Sequence, residues 1–241
     1  DRIRHKGRIR LLTTNSANSY YIYRGAPAGF EYELASKFAD SLGVEMDIIT
    51  PGWNSLLYYL EQGQGDFIAA GLTITRKRKN RVEFSIPYMT IQQRLIHHKL
   101  IFGADDIEDL AGRTFHVRRG TSYHHRLEAL KERGIDLSIV LHDNLPTEEL
   151  IRMVHKREIK FTVADTNIAL LNRRYYPDIR IGIPIQEKES LAWAVRKSDT
   201  ELLKQMNLFL LKVRNNGVLE SIYNKYYGNL NDFDYFDVKK F

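Results

Sequence analysis

The sequence has no cysteine among its 241 residues. This absence excludes disulfide bonds, thiolate metal ligands and cysteine nucleophiles. No apolar run approaches the ~20 residues that a membrane-spanning helix needs, and residues 1–4 lack the apolar stretch of a signal peptide. We therefore expect no membrane-spanning helix, and we expect the first residues to be the start of a mature or excised domain.

The sequence also lacks the short motifs of several enzyme and metal-binding classes. It contains no G-x-S-x-G elbow, no P-loop and no G-x-G-x-x-G fingerprint. Its adjacent histidine pairs, at 97–98 and 124–125, do not have the i, i+4 spacing that puts two metal ligands on one helix face. We therefore predict no catalytic residues, no metal site and no cofactor.

Positive charge is present, but its pattern does not indicate nucleic-acid binding. The net charge is +6, with the basic residues spread along the chain among 30 acidic ones. The one dense run, at residues 76–81, has five basic residues in six positions and none of the interleaved aromatic residues of a single-strand binder. No helix-turn-helix, RNP or zinc pattern accompanies it. Nucleic acid is not a predicted partner.

The first part of the chain alternates between strand and helix patterns. Residues 29–43 have apolar side chains at helical spacing and end at Gly43, which predicts an amphipathic helix. Residues 66–72 form a continuous apolar run, which is typical of a buried parallel strand. We also predict strands at 8–14 and 44–50, a short helix at 54–62 and a polar loop at 15–29. This order predicts an α/β lobe with a mainly parallel sheet.

A second α/β cycle follows, and the chain then returns to the first. We predict strands at 114–120, 138–143, 159–165, 179–185 and 190–196, and helices at 121–134, 145–158, 167–176 and 200–226, the last interrupted at Gly217. The expected domains are lobe 1 (1–92), a hinge strand (93–98), lobe 2 (98–184), a return strand with C-terminal helices on lobe 1 (185–228), and a connector (229–241). Two crossing strands predict a hinge with a ligand cleft between the lobes.

Long stretches of the sequence resemble a known family. Residues 29–89, GFEYELASKFADSLGVEMDIITPGWNSLLYYLEQGQGDFIAAGLTITRKRKNRVEFSIPYM, are similar to the signature half of the family 3 extracellular solute-binding proteins. The resemblance continues through DLAGRTFHVRRGTSY (109–123), FTVAD (161–165) and the closing segment at 206–228. It implies a periplasmic-binding-protein-like α/β fold, a periplasmic location, and hinge closure on a small amino acid or a fragment that carries one.

The last residues, NDFDYFDVKKF (231–241), are similar to the connector of membrane-bound lytic transglycosylases. In that family a solute-binding-like sensor module precedes a peptidoglycan-cleaving domain. The resemblance implies that this chain is a non-catalytic sensor for an amino acid or muropeptide, with a catalytic domain following in a membrane-anchored parent. Two alternatives stay open: a free amino-acid receptor of an ABC permease, and a cyclohexadienyl-dehydratase-like enzyme with Glu31 or Glu33 as an acid or base beside Arg78.

The family resemblance assigns ligand contacts to both lobes. Arg78 would bind the α-carboxylate, because a guanidinium can donate two parallel hydrogen bonds and keeps its charge. Gly71 and Thr73 would add backbone and hydroxyl contacts. Asp165 would bind the α-ammonium group, although a carboxylate in that position can equally be the N-cap of the following helix.

The remaining predicted contacts are aromatic walls and a helix N-terminus. Trp53 matches an aromatic residue that packs on the ligand side chain. Tyr20 is the favoured second wall, although Tyr21 and Tyr23 are alternatives that the sequence does not separate. Arg118, Thr121 and Ser122 would complete the carboxylate site from lobe 2, since helix N-termini bind anions through their N–H groups.

Overall fold

The computed structural model describes residues 2–228, so the expected connector at 229–241 lies outside the described part. The chain forms two compact units. Unit 1 contains the described residues up to Thr90 and from Ser190 onward, and unit 2 contains Ile91–Glu189. The chain thus passes between the units twice, at 90–91 and at 189–190. None of the helices in residues 2–228 combines the length and the apolar character needed to cross a bilayer.

Helices and strands alternate along most of the chain. The N-terminal elements, in order, are α1 (Arg2–Lys6), β1 (Arg8–Leu12), β2 (Tyr21–Tyr23), β3 (Ala26–Ala28), α2 (Phe30–Leu42), β4 (Glu45–Ile49), a 3₁₀ turn (Trp53–Ser55), α3 (Leu56–Glu61), β5 (Phe67–Ile68), α4 (Arg76–Lys79), β6 (Glu83–Phe84) and β7 (Met89–Ile91). The elements that follow are β8 (Gln93–His98), a 3₁₀ turn (Glu108–Leu110), β9 (Thr114–Arg118), α5 (Ser122–Glu132), β10 (Ser138–His142), α6 (Thr147–His155), β11 (Phe161–Asp165), α7 (Thr166–Arg173), β12 (Ile179–Pro184), β13 (Glu189–Leu191), β14 (Ala194–Val195), α8 (Thr200–Asn215) and α9 (Val218–Tyr227).

Unit 1 is built on a five-stranded sheet with the order β4-β1-β5-β14-β6. Strand β1 pairs in parallel with β4 and β5, as predicted, while β14 is antiparallel to both β5 and β6. The antiparallel strand is the one that enters the sheet after the chain has passed through unit 2. The region 190–196, predicted as one strand, is two short strands, β13 and β14, which belong to different sheets.

Helix α2 is the predicted amphipathic helix, and it ends at the predicted glycine, Gly43. Gly43 takes a left-handed conformation with φ of 70° and donates its N–H to the carbonyls of Ala39 and Asp40, a C-cap that glycine favours. At the other end, Gly29 has φ of 126°, and a Cβ there would lie 2.2 Å from the Ser19 carbonyl oxygen. Only glycine fits this entry to the helix.

The predicted polar loop at 15–29 contains a short hairpin of β2 and β3. Its two turn residues, Arg24 and Gly25, both have positive φ, at 49° and 80°. This is the conformation of a two-residue type I′ turn, whose twist matches that of paired strands.

Unit 2 has its own five-stranded sheet, with the order β10-β9-β11-β8-β12. Strand β9 is parallel to β10 and β11, whereas β8 is antiparallel to β11 and β12. Residues 93–98, expected to be a hinge strand, thus lie inside this sheet, where almost every side chain of β8 is buried. Because β9 and β11 are neighbouring parallel strands, their carboxyl ends lie at the same edge of the sheet.

Candidate ligand-binding site

The predicted site in unit 1 begins where β5 ends. The segment that follows, at 72–74, runs beside the returning chain: Ala192 donates its N–H to the Leu72 carbonyl, and Ile74 donates to the Ser190 carbonyl. Thr73 also forms an isolated bridge with Leu191. These backbone contacts fix the segment that presents Thr73, which is buried.

Arg78 is separated from the other cations of its run by burial. Its side chain is 8% exposed, whereas the other four basic residues of the run, at 76, 77, 79 and 81, are exposed. One guanidinium N–H of Arg78 is donated to the Thr73 carbonyl at 2.8 Å, and the guanidinium carbon lies 5.6 Å from the centre of the Trp53 ring. The structure therefore brings Arg78, Thr73 and Trp53 together within unit 1.

The short helix α4 explains how Arg78 acquires this position. Thr75 is the N-cap residue, and its hydroxyl accepts the Arg78 N–H at 3.3 Å. The cap fixes the backbone N–H of Arg78, and the Arg78 side chain reaches back to the Thr73 carbonyl. Arg81 faces outward and forms two hydrogen bonds with the Glu61 carboxylate at 2.7 and 2.6 Å. Within the basic run, one cation thus faces inward and its neighbours face solvent.

The backbone N–H of Gly71, predicted to contact the ligand, is donated to the Glu31 carboxylate at 2.8 Å. Gly71 has φ of +66°, in the left-handed region, and a Cβ there would lie 3.4 Å from the Asn18 amide nitrogen. Its role in the structure is to allow a tight turn before Thr73, with its amide held from the protein side.

The predicted aromatic walls differ in exposure. Trp53 is half-buried against the apolar core beneath α3, so core packing accounts for part of its side chain, and its contact with a ligand stays a prediction. Tyr20 is half-buried with its ring 5.7 Å from that of Tyr32. Tyr21 is also half-buried, whereas Tyr23 is 58% exposed on the hairpin. Tyr20 stays the favoured wall, and Tyr23 is the member of the cluster with least contact to the protein interior.

In unit 2, Asp165 is the last residue of β11 and is 3% exposed. It occupies the N-cap position of α7 but makes no side-chain cap hydrogen bond. One carboxylate oxygen instead accepts the hydroxyl of Tyr123 at 3.1 Å. Burial raises the pKa of Tyr123 well above its usual value, and Asp165 adds to the rise, so Tyr123 stays protonated and donates. The helix-capping alternative therefore does not account for this carboxylate.

Arg118 and Thr121 meet at the start of α5, but partly for a structural reason. Thr121 is the N-cap residue: its hydroxyl donates to the Arg118 carbonyl at 2.7 Å and accepts the His124 N–H at 3.3 Å. A threonine hydroxyl has a single proton, so this proton is not offered to a ligand. The side chain of Thr121 thus caps α5. Ser122, which is buried at the first helical position, stays a predicted ligand contact.

Arg118 lies in the electrostatic environment of a carboxylate that the sequence did not indicate. Burial lowers the pKa of Arg118, and Glu148 and Tyr123 act in the opposite direction. Glu148 is in the first turn of α6, which follows the strand next to β9. Unit 2 therefore collects one cation, two carboxylates and a tyrosine near the carboxyl ends of its parallel strands, the edge at which α/β sheets bind ligands.

One histidine–carboxylate cluster in residues 2–228 has the proximity of metal ligands: His124, His125 and Glu128. The Gly120 N–H is donated to His124 Nδ1 at 3.3 Å, so the neutral ring carries its proton on Nε2. That nitrogen faces a Glu128 oxygen at 3.0 Å. The imidazole and the carboxylate thus contact one another directly, and a metal ion would have to come between them.

Glu31 is a buried carboxylate of unit 1, and its environment does not fit the acid or base of an enzyme. Its side chain is 0% exposed, so it contacts protein rather than a substrate. Glu33 instead pairs with Lys225 and Tyr226 near the surface, at 2.6 and 3.0 Å. The sequence does contain a signal for the burial of Glu31. It lies three residues before Leu34 and four before Ala35, which places it on the buried stripe of α2.

A family profile covers nearly the whole chain. The profile of the bacterial extracellular solute-binding proteins, family 3, matches residues 9–229. A curated relative from Desulfosudis oleivorans, named membrane-bound lytic murein transglycosylase F, is 55% identical over 240 residues, which is 100% of this chain and 53% of that protein. A relative of the same name from Pseudomonas fluorescens is 33% identical over 98% of this chain and 49% of its own length. The chain thus spans about half the length of these relatives.

Solved amino-acid-binding proteins share the fold. An ancestral arginine-binding protein bound to arginine aligns with a TM-score of 0.83 at 26% identity, over 92% of this chain and 99% of that one. A mutant of the arginine-binding protein from T. maritima aligns with 0.83 at 28% identity, over 95% and 99%. An ancestral amino-acid-binding protein described as a precursor of cyclohexadienyl dehydratase aligns with 0.83 at 26%, over 94% and 98%. The predicted periplasmic-binding-protein-like α/β fold is confirmed.

Proposed function

Because the chain belongs to the bacterial extracellular solute-binding proteins of family 3, we propose that it binds a small amino acid or a fragment that carries one. Arg78 binds the α-carboxylate, and Asp165 binds the α-ammonium group. The observation that carries the proposal is the burial of Arg78 alone among the five cations of its run, with its head group held between the Thr73 carbonyl and the Trp53 ring.

The chemistry of the two residues matches the two charges of a zwitterion. A guanidinium that is already fixed by one hydrogen bond has lost part of its conformational freedom before the ligand arrives, which lowers the cost of ordering it on binding. A nearly buried carboxylate, fixed by the Tyr123 hydroxyl, is likewise pre-oriented for a charge-assisted hydrogen bond with an ammonium group. Trp53 and Tyr20 supply walls for the ligand side chain.

Arg78 belongs to unit 1 and Asp165 to unit 2, so a ligand that contacts both joins the units. Binding of this kind favours the relative arrangement in which both contacts form, which is hinge closure in the sense of a population shift. A ligand that offers only one of the two charges, such as a muropeptide with a blocked amine or carboxylate, would favour that arrangement less.

We further propose that the chain is the sensor module of a periplasmic, membrane-anchored cell-wall enzyme. Support comes from the relatives named membrane-bound lytic murein transglycosylase F, of which this chain spans about half. Ligand-dependent closure would then bias the activity of an attached catalytic domain, which is an allosteric coupling. The alternative, a receptor that delivers an amino acid to an ABC permease, uses the same contacts and is favoured by the arginine-binding structural neighbours.

A thermal-shift screen tests the binding proposal. The purified chain is heated with each of the twenty amino acids and with small muropeptides, beside Arg78→Ala and the matched variant Arg76→Ala, which removes an exposed cation of the same helix. A ligand at a hundred times its dissociation constant adds about 2.7 kcal/mol to native stability. We expect a ligand-dependent shift in the wild type and in Arg76→Ala that disappears in Arg78→Ala. An equal shift in all three proteins would contradict the role of Arg78.

The identity of the stabilising ligand bears on the two roles. A response to muropeptides but to no free amino acid favours the cell-wall sensor over the transport receptor, whereas a response to a free amino acid is expected of both roles. The absence of any response in the wild type would contradict the binding proposal for both.

A further inference from the structure

A carboxylate lies in the interior of unit 1 and accepts three hydrogen bonds. The Glu31 side chain has no exposure to solvent. One of its oxygens accepts the Gly71 N–H at 2.8 Å and also the Tyr88 hydroxyl. The other accepts the indole N–H of Trp193 at 3.1 Å. A charged group is therefore fully desolvated and is held by three neutral donors.

The three donors are distant from Glu31 in sequence, and they lie in the turn before Thr73 or near the points where the chain passes between the units. Gly71 forms the turn directly before Thr73, whose carbonyl holds Arg78. Tyr88 lies just before the chain enters unit 2, and Trp193 lies just after the chain has returned. Glu31 itself is in the first turn of α2. One carboxylate thus connects the candidate carboxylate-binding turn with both crossings of the chain.

A second buried polar side chain, that of Asn18, lies close to the turn. A Cβ on Gly71 would lie 3.4 Å from the Asn18 amide nitrogen and 4.0 Å from a Glu31 oxygen. Asn18 is buried, and its carbonyl oxygen accepts the Tyr227 hydroxyl from α9. The Gly71 backbone therefore lies close to both a carboxylate and an amide, and its left-handed φ of +66° is a conformation that favours glycine.

Glu31 is poorly explained as a residue that stabilises the fold. Burial raises its pKa to about 6, against the effect of its three hydrogen bonds, which lower it. The titratable group in contact with it is Tyr88, whose pKa is itself raised by burial, and Tyr227 adds to that rise. A carboxylate whose desolvation outweighs its hydrogen bonds costs stability when it is ionised. Its three hydrogen bonds instead fix the positions of Gly71, Tyr88 and Trp193.

We propose that Glu31 is a positioning residue for the ligand carboxylate site: it fixes the turn at 71–73, and through the Thr73 carbonyl it fixes the Arg78 guanidinium. The inference rests on the proposed function in that Arg78 is taken as the ligand contact. Glu31 acts through Gly71 and Thr73, and it touches no ligand.

The substitution Glu31→Gln tests this with the smallest change in shape. An amide has one acceptor oxygen and one NH₂ group, so it cannot accept from donors on both of its ends. Either the Trp193 N–H or the Gly71 N–H must then face another donor. Glu33→Gln is the matched control, because Glu33 lies on the same helical turn and contacts Lys225 and Tyr226 instead.

The first readout needs no ligand. The chemical shift of the Gly71 amide, followed by NMR between about pH 4.5 and pH 8, should titrate with a midpoint near the Glu31 pKa in the wild type and in Glu33→Gln. In Glu31→Gln this titration should be absent. The second readout is affinity: the dissociation constant for the amino acid found in the thermal-shift screen should rise about 10-fold in Glu31→Gln and stay within about twofold in Glu33→Gln.

The two readouts keep failure of this inference separate from failure of the proposed function. If the wild type binds no amino acid, loss of the Gly71 titration in Glu31→Gln still supports control of the turn, and its persistence overturns it. If ligand binding is present, an unchanged dissociation constant in Glu31→Gln overturns the positioning role.

A second variant tests the inference if Glu31→Gln does not fold. Tyr88→Phe removes only a hydroxyl, and it leaves the carboxylate in place with one donor fewer. We expect the Gly71 midpoint to move upward, because a lost hydrogen bond to the charged form raises the pKa, and the dissociation constant to rise about threefold. An unchanged midpoint with unchanged affinity would overturn the inference.

Discussion

Replacing Arg78 with lysine separates the shape of the cation from its charge. The Arg78 guanidinium donates to the Thr73 carbonyl at 2.8 Å and lies 5.6 Å from the Trp53 ring centre. An arginine fixed in this way can present a fork of N–H groups to a carboxylate, whereas a lysine ammonium is a point charge on a flexible stem. Arg78→Lys therefore keeps the positive charge and removes the paired geometry.

The expected loss follows from the hydrogen bonds involved. A hydrogen bond to a charged group contributes about 1.5–3 kcal/mol, and each 1.4 kcal/mol is about tenfold in affinity. Losing one of two parallel bonds should raise the dissociation constant by about 10- to 100-fold. Arg78→Ala removes both bonds and the charge, so it should raise the constant further.

Isothermal titration calorimetry of the purified chain with its amino-acid ligand measures this change. The control is Arg76→Lys, the same substitution at an exposed position of the same helix. If Arg78→Lys binds within about twofold of the wild type, the ligand is held by charge alone, and the paired-hydrogen-bond reasoning is wrong.

Three further predictions concern stability. Gly29→Ala should lower the free energy of unfolding, measured by urea denaturation, by more than about 2 kcal/mol. The reason is that φ at this position is 126° and the new Cβ would lie 2.2 Å from the Ser19 carbonyl oxygen. A smaller loss would show that the backbone relaxes there. Glu31 binds its proton more tightly in the folded protein, because its pKa is raised from 4.5 to about 6. Its contribution to stability should therefore be largest below pH 4.5 and should fall by about 2 kcal/mol as the pH rises through 6. A pH series of urea denaturations should show this slope in the wild type and not in Glu31→Gln. Tyr123→Phe should cost about 1–3 kcal/mol, because the nearly buried Asp165 carboxylate loses a donor at 3.1 Å; an unchanged melting temperature would mean that water or another group replaces the hydroxyl.

The parts of the fold that could be predicted from the sequence are those in which the local pattern and the tertiary environment agree. Helix α2 has a long apolar stripe and a glycine at its end, and the structure begins and ends it within a residue of the prediction. The strands β13 and β14 were predicted as one because the apolar run through 190–196 is continuous. Their division between two sheets depends on pairing with β7, β5 and β6, which are distant in sequence.

The candidate site shows the same division between local and long-range information. Arg78 could be singled out by the family resemblance, and its burial is consistent with that choice. The capping role of Thr121 could also have been foreseen, since threonine before a helix is a favoured N-cap. Tyr123 could not, because its hydroxyl meets Asp165 only after β9, α5 and β11 have come together.

Glu31 shows why a local rule can hide a long-range role. Acidic residues are favoured in the first turn of a helix because of the helix dipole, and that rule explains Glu33 and Glu31 equally well. The two differ in which side of α2 they occupy: Glu33 meets Lys225 near the surface, and Glu31 meets donors in the interior. A carboxylate on the buried stripe of a helix is therefore better evidence of a specific polar partner than of a dipole effect.

The position of Glu31 also bears on how ligand binding could reach the rest of the protein. Gly71 in the turn at 71–73, Tyr88 shortly before the first crossing and Trp193 shortly after the second all donate to this one carboxylate. A ligand that orders Arg78 also orders the Thr73 carbonyl, and the backbone pairing of 72–74 with 190–192 passes that constraint to the returning chain. Because a buried hydrogen-bonded carboxylate allows few alternative arrangements, a small change at the turn must be met by Tyr88 or Trp193. Glu31→Gln should therefore weaken the response of the crossings to ligand as well as the affinity, and hydrogen exchange of the Tyr88 amide with and without ligand would show whether it does.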